Sequence, residues 1–326
     1  MKKLLTILLA TICLFALCAC NSGSNLGSNQ GSNQGSNPTG SNLKVGIVQT
    51  TQHPALDAAT QGFVDALKEN GITDVDVQNA SGESANCSTI VGNFVADGVD
   101  LIMANATPAL QAASAATDTI PVLGTSITVY DVVLGGSVPK NVSGTTDLAP
   151  LDEQASMIKE LFPDAKKVGI LFCSAEPNSQ YQVDKISEFL KEDGIETVNY
   201  VFNDSNDITA VTEKAVNDKV DVIYVPTDNT AAANTQAIAN VVLPAGIPVF
   251  TGEEGVCTGC GVATLTISYY DIGFKTGEMA ADILLNGADI STMEIESAPQ
   301  FVKKFNKTNA EKLGITIPED YTAIEE

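Results

Sequence analysis

The chain has 326 residues, with 17 basic against 40 acidic side chains and a formal net charge of −23. A nucleic-acid partner requires a basic face to neutralise phosphates, and this balance excludes one. Every basic residue is Lys and His53 is the sole histidine, so a guanidinium fork, a two-His zinc site and a His relay are all excluded and no cofactor is expected.

Lys2 and Lys3 precede an apolar run from Leu4 to Ala19, shorter than a membrane span of about 20 residues. It ends in Leu17-Cys18-Ala19-Cys20, which resembles a bacterial lipobox whose Cys20 is lipidated and becomes the first mature residue. Cys18 fits that position less well, because Leu17 before it is large. Residues 1–20 are expected to be a lipoprotein signal peptide, against an ordinary secretory signal or an N-terminal anchor. Residues 21–42 are Gly/Ser/Asn/Gln with near-repeats of Gly-Ser-Asn, which cannot bury a core. Such a linker is flexible and spans about 25 Å.

From Leu43 onward, strand-like and helix-like segments alternate, the pattern of parallel sheets with crossover helices. Leu43–Val48 predicts a strand, and an amphipathic helix follows Pro54 and ends near Gly71. Val75–Gln78, Val99–Met103 and Ile120–Leu123 read as strands, with helices near Ser84–Asp97 and from Pro108. Lys44-Val-Gly-Ile47 then returns as Lys167-Val-Gly-Ile170, Val99-Asp-Leu-Ile102 as Val220-Asp-Val-Ile223, and Ile120-Pro-Val122 as Ile247-Pro-Val249. The offsets are 123, 121 and 127, so two similarly wound lobes are expected. After Glu253 the repetition ends: Gly261–Ser268 reads as a strand, Tyr269–Asn286 as a helix and Phe301–Phe305 as one more apolar segment. The expected fold is α/β, two doubly wound parallel-sheet lobes around a ligand cleft. Residues 43–147 and 253–288 are assigned to lobe one, and 148–252 and 289–326 to lobe two.

Ligands of open α/β sheets sit beyond the carboxyl ends of the strands. In lobe one the loops there are Gln49-Thr-Thr-Gln-His53, Asn105-Ala-Thr107 and Gly124-Thr-Ser126, all neutral and rich in donors. Thr107-Pro108 and Thr125-Ser126 resemble helix caps, where free N–H groups attract an anion. In lobe two they are Ser174-Ala-Glu176-Pro-Asn178-Ser179, Pro226-Thr-Asp228-Asn229 and Gly252-Glu253-Glu254, rich in carboxylates. A neutral wall facing an acidic one suits a zwitterion, its carboxylate on lobe one and its ammonium on Asp228 or Glu254. Each residue has a plainer reading: Asp228 as an N-cap, Glu253-Glu254 as a solvated turn, His53 as a loop-orienting side chain, Tyr130, Tyr181, Tyr269 and Tyr270 as core aromatics. Cys87 and Cys173 read as small core residues. Cys257-Thr-Gly-Cys260 lacks the second pair that zinc needs, and fits either a local disulfide or two small residues in a turn.

As a set, several motifs resemble a known family: His53-Pro-Ala-Leu-Asp57, Asn105-Ala-Thr-Pro-Ala-Leu110, Gly124-Thr-Ser126, Glu176-Pro-Asn-Ser179, Tyr224-Val-Pro-Thr-Asp-Asn-Thr230, Gly252-Glu-Glu-Gly255 and Tyr269-Tyr270. The chain resembles the substrate-binding lipoproteins of ABC importers of the tryptophan/tyrosine-binding type, within the type I periplasmic binding protein fold. The resemblance implies three chain crossings, clamshell closure and an aromatic or other apolar amino acid as ligand. It gives Thr107 and Ser126 the ligand carboxylate and Glu254 the ammonium, as in related leucine/isoleucine/valine binders. Gln49, His53, Thr125, Glu176, Asn178, Ser179, Asp228, Asn229 and Tyr269 complete the candidate site. The expected protein is a monomeric, non-enzymatic receptor, lipid-anchored on the outer face of the bacterial cytoplasmic membrane and serving a permease with its ATPase. A same-fold receptor for a sugar or nucleoside is the alternative. An extracytoplasmic hydrolase is weaker, since no Gly-x-Ser-x-Gly elbow appears and one histidine leaves little for general-base chemistry.

Overall fold

A computed structural model describes residues 43–325. The signal peptide, Cys20 and the 21–42 linker lie outside the described residues. The chain opens with β1 (Lys44–Gln49), α1 (Pro54–Glu69), β2 (Asp74–Asn79), α2 (Ser84–Asp97), β3 (Leu101–Asn105), α3 (Thr107–Ala116), β4 (Val122–Ile127), α4 (Tyr130–Val133) and β5 (Val142–Thr146). It continues through α5 (Leu151–Leu161), β6 (Lys167–Cys173), α6 (Pro177–Glu192), β7 (Glu196–Phe202), α7 (Ile208–Asn217), β8 (Val222–Val225), α8 (Asn229–Ala232), α9 (Thr235–Ala245), β9 (Val249–Thr251), α10 (Glu254–Cys260) and β10 (Ala263–Thr266). Then come α11 (Tyr269–Asn286), β11 (Glu296–Ser297), β12 (Val302–Phe305), α12 (Lys307–Leu313) and β13 (Thr322–Ala323).

The strands form two sheets. One runs β11-β5-β4-β3-β1-β2 and the other β13-β12-β10-β9-β8-β6-β7. Within each, five strands have the same doubly wound order, β2-β1-β3-β4-β5 and β7-β6-β8-β9-β10, and pair in parallel. The sequence echoes fall on equivalent strands: β1 with β6, β3 with β8, β4 with β9. Central strands β3, β4 and β8 are buried along their whole length, as parallel strands covered by helices on both faces must be. Each sheet accordingly has two apolar clusters, Phe94 and Phe63 marking those of lobe one, Phe172 and Phe202 those of lobe two.

Three crossings join the lobes, at residues 147–150, 267–268 and 298–301. The second falls later than the expected boundary at 253. Strand β10 pairs with β9, so α10 and β10 complete lobe two before the chain returns. The third also lies later than residue 288, because β11 still pairs with β5. The sequence repeat stops at Glu253, but the sheet continues for one more strand.

Helices α1 and α11 meet backbone to backbone beside the second crossing. A Cβ on Gly273 would run into the Ala59 carbonyl, and one on Gly62 into that of Tyr270. This approach sets the start of α11, carrying Tyr269, against the start of α1, carrying His53 and Leu56.

Candidate functional site

Between the lobes lies a narrow cavity of about 10 Å³, walled by His53, Leu56, Ser126, Asp147, Asn178, Thr227, Asp228, Asn229, Ala232, Glu253 and Tyr269. Most of these residues follow the carboxyl end of a strand in one sheet or the other, where doubly wound sheets hold ligands. Of the candidate residues, His53, Ser126, Asn178, Asp228, Asn229 and Tyr269 are brought together here. Gln49, Thr107, Thr125, Glu176, Ser179 and Glu254 are not among the lining residues.

Three lining side chains have a buried polar atom with no protein partner: His53 Nδ1, Ser126 Oγ and Asn178 Oδ1. Stranding a buried polar atom costs about 1–3 kcal/mol, and three around one cavity mark it as built for a polar guest. Ser126 carries a second sign. Its φ is +57°, a left-handed conformation that a non-Gly residue adopts at a cost of about 1–3 kcal/mol. The β4–β5 register shifts between Gly124 and Ile127, so the strand bulges at this residue. Tyr130 holds the bulge from below, its hydroxyl donating to Gly124 O at 2.9 Å and Thr145 O at 3.0 Å. Tyr130 is thus a core clamp rather than a wall of the cleft.

The acidic wall of lobe two is spent differently from the expectation. Asp228 caps α8: Oδ1 accepts Ala231 N at 2.9 Å, while Oδ2 accepts Cys173 N at 2.7 Å and Ser179 Oγ at 2.8 Å. Burial, and then the neighbouring Glu176 carboxylate, push its carboxyl well up. Glu176 accepts Asn229 N and Nδ2, and Thr230 N and Oγ1, at 2.8–2.9 Å. Glu253, not Glu254, is the buried acid of its turn, capping α10 through Gly255 N at 2.6 Å and Val256 N at 2.5 Å. Burial raises its carboxyl too, against the opposing effect of the two backbone N–H groups it accepts. Glu254 pairs instead with Lys304 Nζ at 2.7 Å, half-exposed in a groove on the hinge side. Both expected ammonium partners, Asp228 and Glu254, are therefore already engaged by protein groups.

Other candidates are likewise committed. Gln49 Nε2 donates to Asp57 Oδ1 at 2.7 Å and its Oε1 accepts from Thr60 Oγ1 at 2.6 Å. The Thr125 hydroxyl meets that of Thr145 at 3.1 Å. Thr107 is buried at the start of α3. Cys257 and Cys260 are buried free thiols, and no disulfide joins them. They sit in α10 rather than in an open turn, Cys260 packing into the lobe-two core and donating to Val256 O.

One acid in the cavity escaped the sequence reading. Asp147, on the first crossing, is buried and accepts only two side-chain donors, Tyr269 OH at 3.1 Å and Thr128 Oγ1 at 3.2 Å. A carboxylate offers about four acceptor sites, so Asp147 keeps about two to spare, as Glu253 does and one more than Asp228, and its two donors are hydroxyls that can rotate toward a guest rather than fixed backbone N–H groups. Burial pushes its carboxyl up to about 6, which a guest cation would reverse. The available signal was its place directly after a strand, but Val142–Thr146 reads too polar to be taken for one.

The family described as ABC transporter substrate binding protein matches residues 44–324. The chain is 34% identical over 297 residues to a tyrosine-binding protein of Clostridioides difficile, covering 87% of this chain and 84% of that protein. Among solved structures, an ABC domain from Streptococcus pneumoniae in complex with L-Trp is 31% identical, with 87% of this chain and 100% of that one covered and a TM-score of 0.82. A ligand-free, open substrate-binding protein with adhesive properties from Clostridium difficile is 34% identical over 87% of this chain and 99% of that one, yet its TM-score is 0.66. The more similar sequence is thus the less similar overall shape. Fold, cleft and sequence agree on the two-lobed, type I periplasmic binding architecture, and the chain belongs to the substrate-binding proteins of ABC transporters, which bind rather than transform their ligands.

Proposed function

We propose that the protein captures a free aromatic amino acid, tyrosine or tryptophan, as a zwitterion in the cavity between its lobes. Asp147 receives the ammonium, helped by the acceptors on His53 and Asn178. Ser126 donates to the carboxylate, and Tyr269, Leu56 and Ala232 face the apolar side chain. The observation that carries this reading is the cavity's polarity: buried, unpartnered polar atoms gathered around a carboxylate with capacity to spare. The tyrosine-binding and L-Trp-bound relatives support the aromatic class. Family membership supports delivery to a permease with its ATPase, and a monomer held by lipid on Cys20 outside the bacterial cytoplasmic membrane completes the proposal. Mass spectrometry of ligand released from denatured, freshly purified protein tests it, followed by calorimetry with L-tyrosine, L-tryptophan and a sugar panel. Recovery of an aromatic amino acid is the expected result; recovery or tight binding of a sugar or nucleoside, with neither amino acid bound, would overturn it. Exchange of Cys20 for Ala should release the protein from the membrane or leave a precursor, and unchanged membrane retention of a mature-sized product would refute the anchor.

A further inference from the structure

His53 touches both lobes. It precedes α1 in lobe one, and its Nε2 lies 3.2 Å from Asn229 Oδ1 in lobe two. Which atom donates is decided one bond further on. Asn229 Nδ2 donates to Glu176 Oε2 at 2.8 Å, and that same oxygen accepts Asn229 N at 2.9 Å. A flipped amide would set oxygen against this carboxylate, so Oδ1 must face His53 and Nε2 must carry the hydrogen. Glu176 is held in turn by Thr230 N and Oγ1, which locks the amide to the frame of lobe two. The other ring nitrogen, Nδ1, is buried in the cavity wall with no protein acceptor in reach. A hydrogen on it would be stranded, so the tautomer defined by Asn229 leaves Nδ1 a bare acceptor facing the guest.

We propose that His53 couples ligand occupancy to lobe closure, its Nε2–H bonding Asn229 across the cleft while Nδ1 accepts a hydrogen bond from an N–H donor of the ligand. Each bond fixes the ring in the tautomer and orientation that the other requires. The contact to Asn229 exists only when the lobes meet, which is what a ligand-linked closure needs: an interaction that differs between the two states. The inference rests on the amino-acid reading above for its donor, the ligand ammonium. Sequence alone left His53 equally a loop-orienting side chain or a ligand contact; the geometry assigns it both roles through different nitrogens.

Because His53 is the only histidine, protein labelled with ¹⁵N-histidine gives a single pair of imidazole nitrogen signals. With saturating L-tyrosine, the expected spectrum is the neutral Nε2–H tautomer with a slowly exchanging proton and an Nδ1 shifted by hydrogen bonding, relative to ligand-free protein. In Asn229→Ala the slow exchange should vanish and tyrosine should bind about tenfold more weakly, the effect of about 1.4 kcal/mol. An Nδ1–H tautomer or a doubly protonated ring in the complex would overturn the coupling, as would a complex of Asn229→Ala whose imidazole signals match wild type. If calorimetry shows tyrosine bound while the wild-type imidazole signals stay unchanged, the coupling falls and the amino-acid reading stands; if tyrosine does not bind, the amino-acid reading falls and the cross-lobe bond stands alone.

Discussion

The two walls of the cleft use their polar residues in opposite ways. In lobe two, Glu176, Asp228 and Glu253 are all buried acids, and all three spend their oxygens on backbone N–H groups at the starts of α8 and α10. Lobe one and the first crossing have fewer charges, yet His53, Ser126 and Asp147 keep unspent hydrogen-bonding capacity directed at the cavity. The side with more acid therefore commits more of it to its own backbone. Charge content in a loop shows that carboxylates are present; only the fold shows which of them are consumed by capping.

That contrast is breakable. Asp228→Ala strands three buried donors, each worth about 1–3 kcal/mol, so it should lower stability by about 3–5 kcal/mol in chemical denaturation. If Asp228→Ala left stability intact and abolished only ligand binding, the capping role would be wrong. The next effect is in pH. The Asp147 carboxyl sits at about 6 in the folded chain against about 3.9 unfolded, so the folded state holds the extra proton between those values. Stability of ligand-free protein should fall by about 3 kcal/mol as pH rises through that window, and the fall should shrink in Asp147→Asn. Ligand affinity should move the other way, dropping up to tenfold per unit as pH falls below about 6, because the proton must leave before the ammonium can pair. Thermal denaturation and calorimetry between pH 4 and 8 measure both.

Smaller effects sharpen the comparison. Ser126→Gly relieves the left-handed φ while deleting the hydroxyl, so stability should rise by about 1 kcal/mol while affinity drops. A destabilised variant would show that the bulge is not strained. Glu254→Gln breaks only a half-exposed pair with Lys304 and should change stability and affinity by under about 1 kcal/mol. A large loss of affinity there would restore the sequence-based expectation for that residue.

Much of the architecture was legible. The echoes Lys44–Ile47 and Lys167–Ile170 lie on equivalent strands, because a doubly wound lobe repeats the same buried parallel strand and its near-continuous apolar run survives in sequence. His53, Ser126 and Asn178 were reachable from the rule that loops after such strands carry function. Asp147 was not, because Val-Ser-Gly-Thr-Thr before it gives no apolar run, and because its position in the cavity depends on where the chain crosses between lobes. The Glu253/Glu254 choice also depended on three dimensions: adjacent residues, one turned inward to cap α10 and the other outward to Lys304. Likewise Cys257 and Cys260 match a disulfide spacing, but α10 buries them as separate thiols.

The central claim is that Asp147, rather than the more numerous acids of lobe two, meets the ligand's ammonium. Calorimetry of wild type and Asp147→Asn with L-tyrosine and with its deaminated analogue, 3-(4-hydroxyphenyl)propanoate, tests it directly. Loss of a charge-assisted bond in a closed cleft is worth about 2–4 kcal/mol, so tyrosine should bind the variant about 30- to 1,000-fold more weakly. The analogue, which has no ammonium to lose, should change by less than about threefold. Equal losses for both ligands, or tyrosine binding the variant as tightly as wild type, would contradict the account.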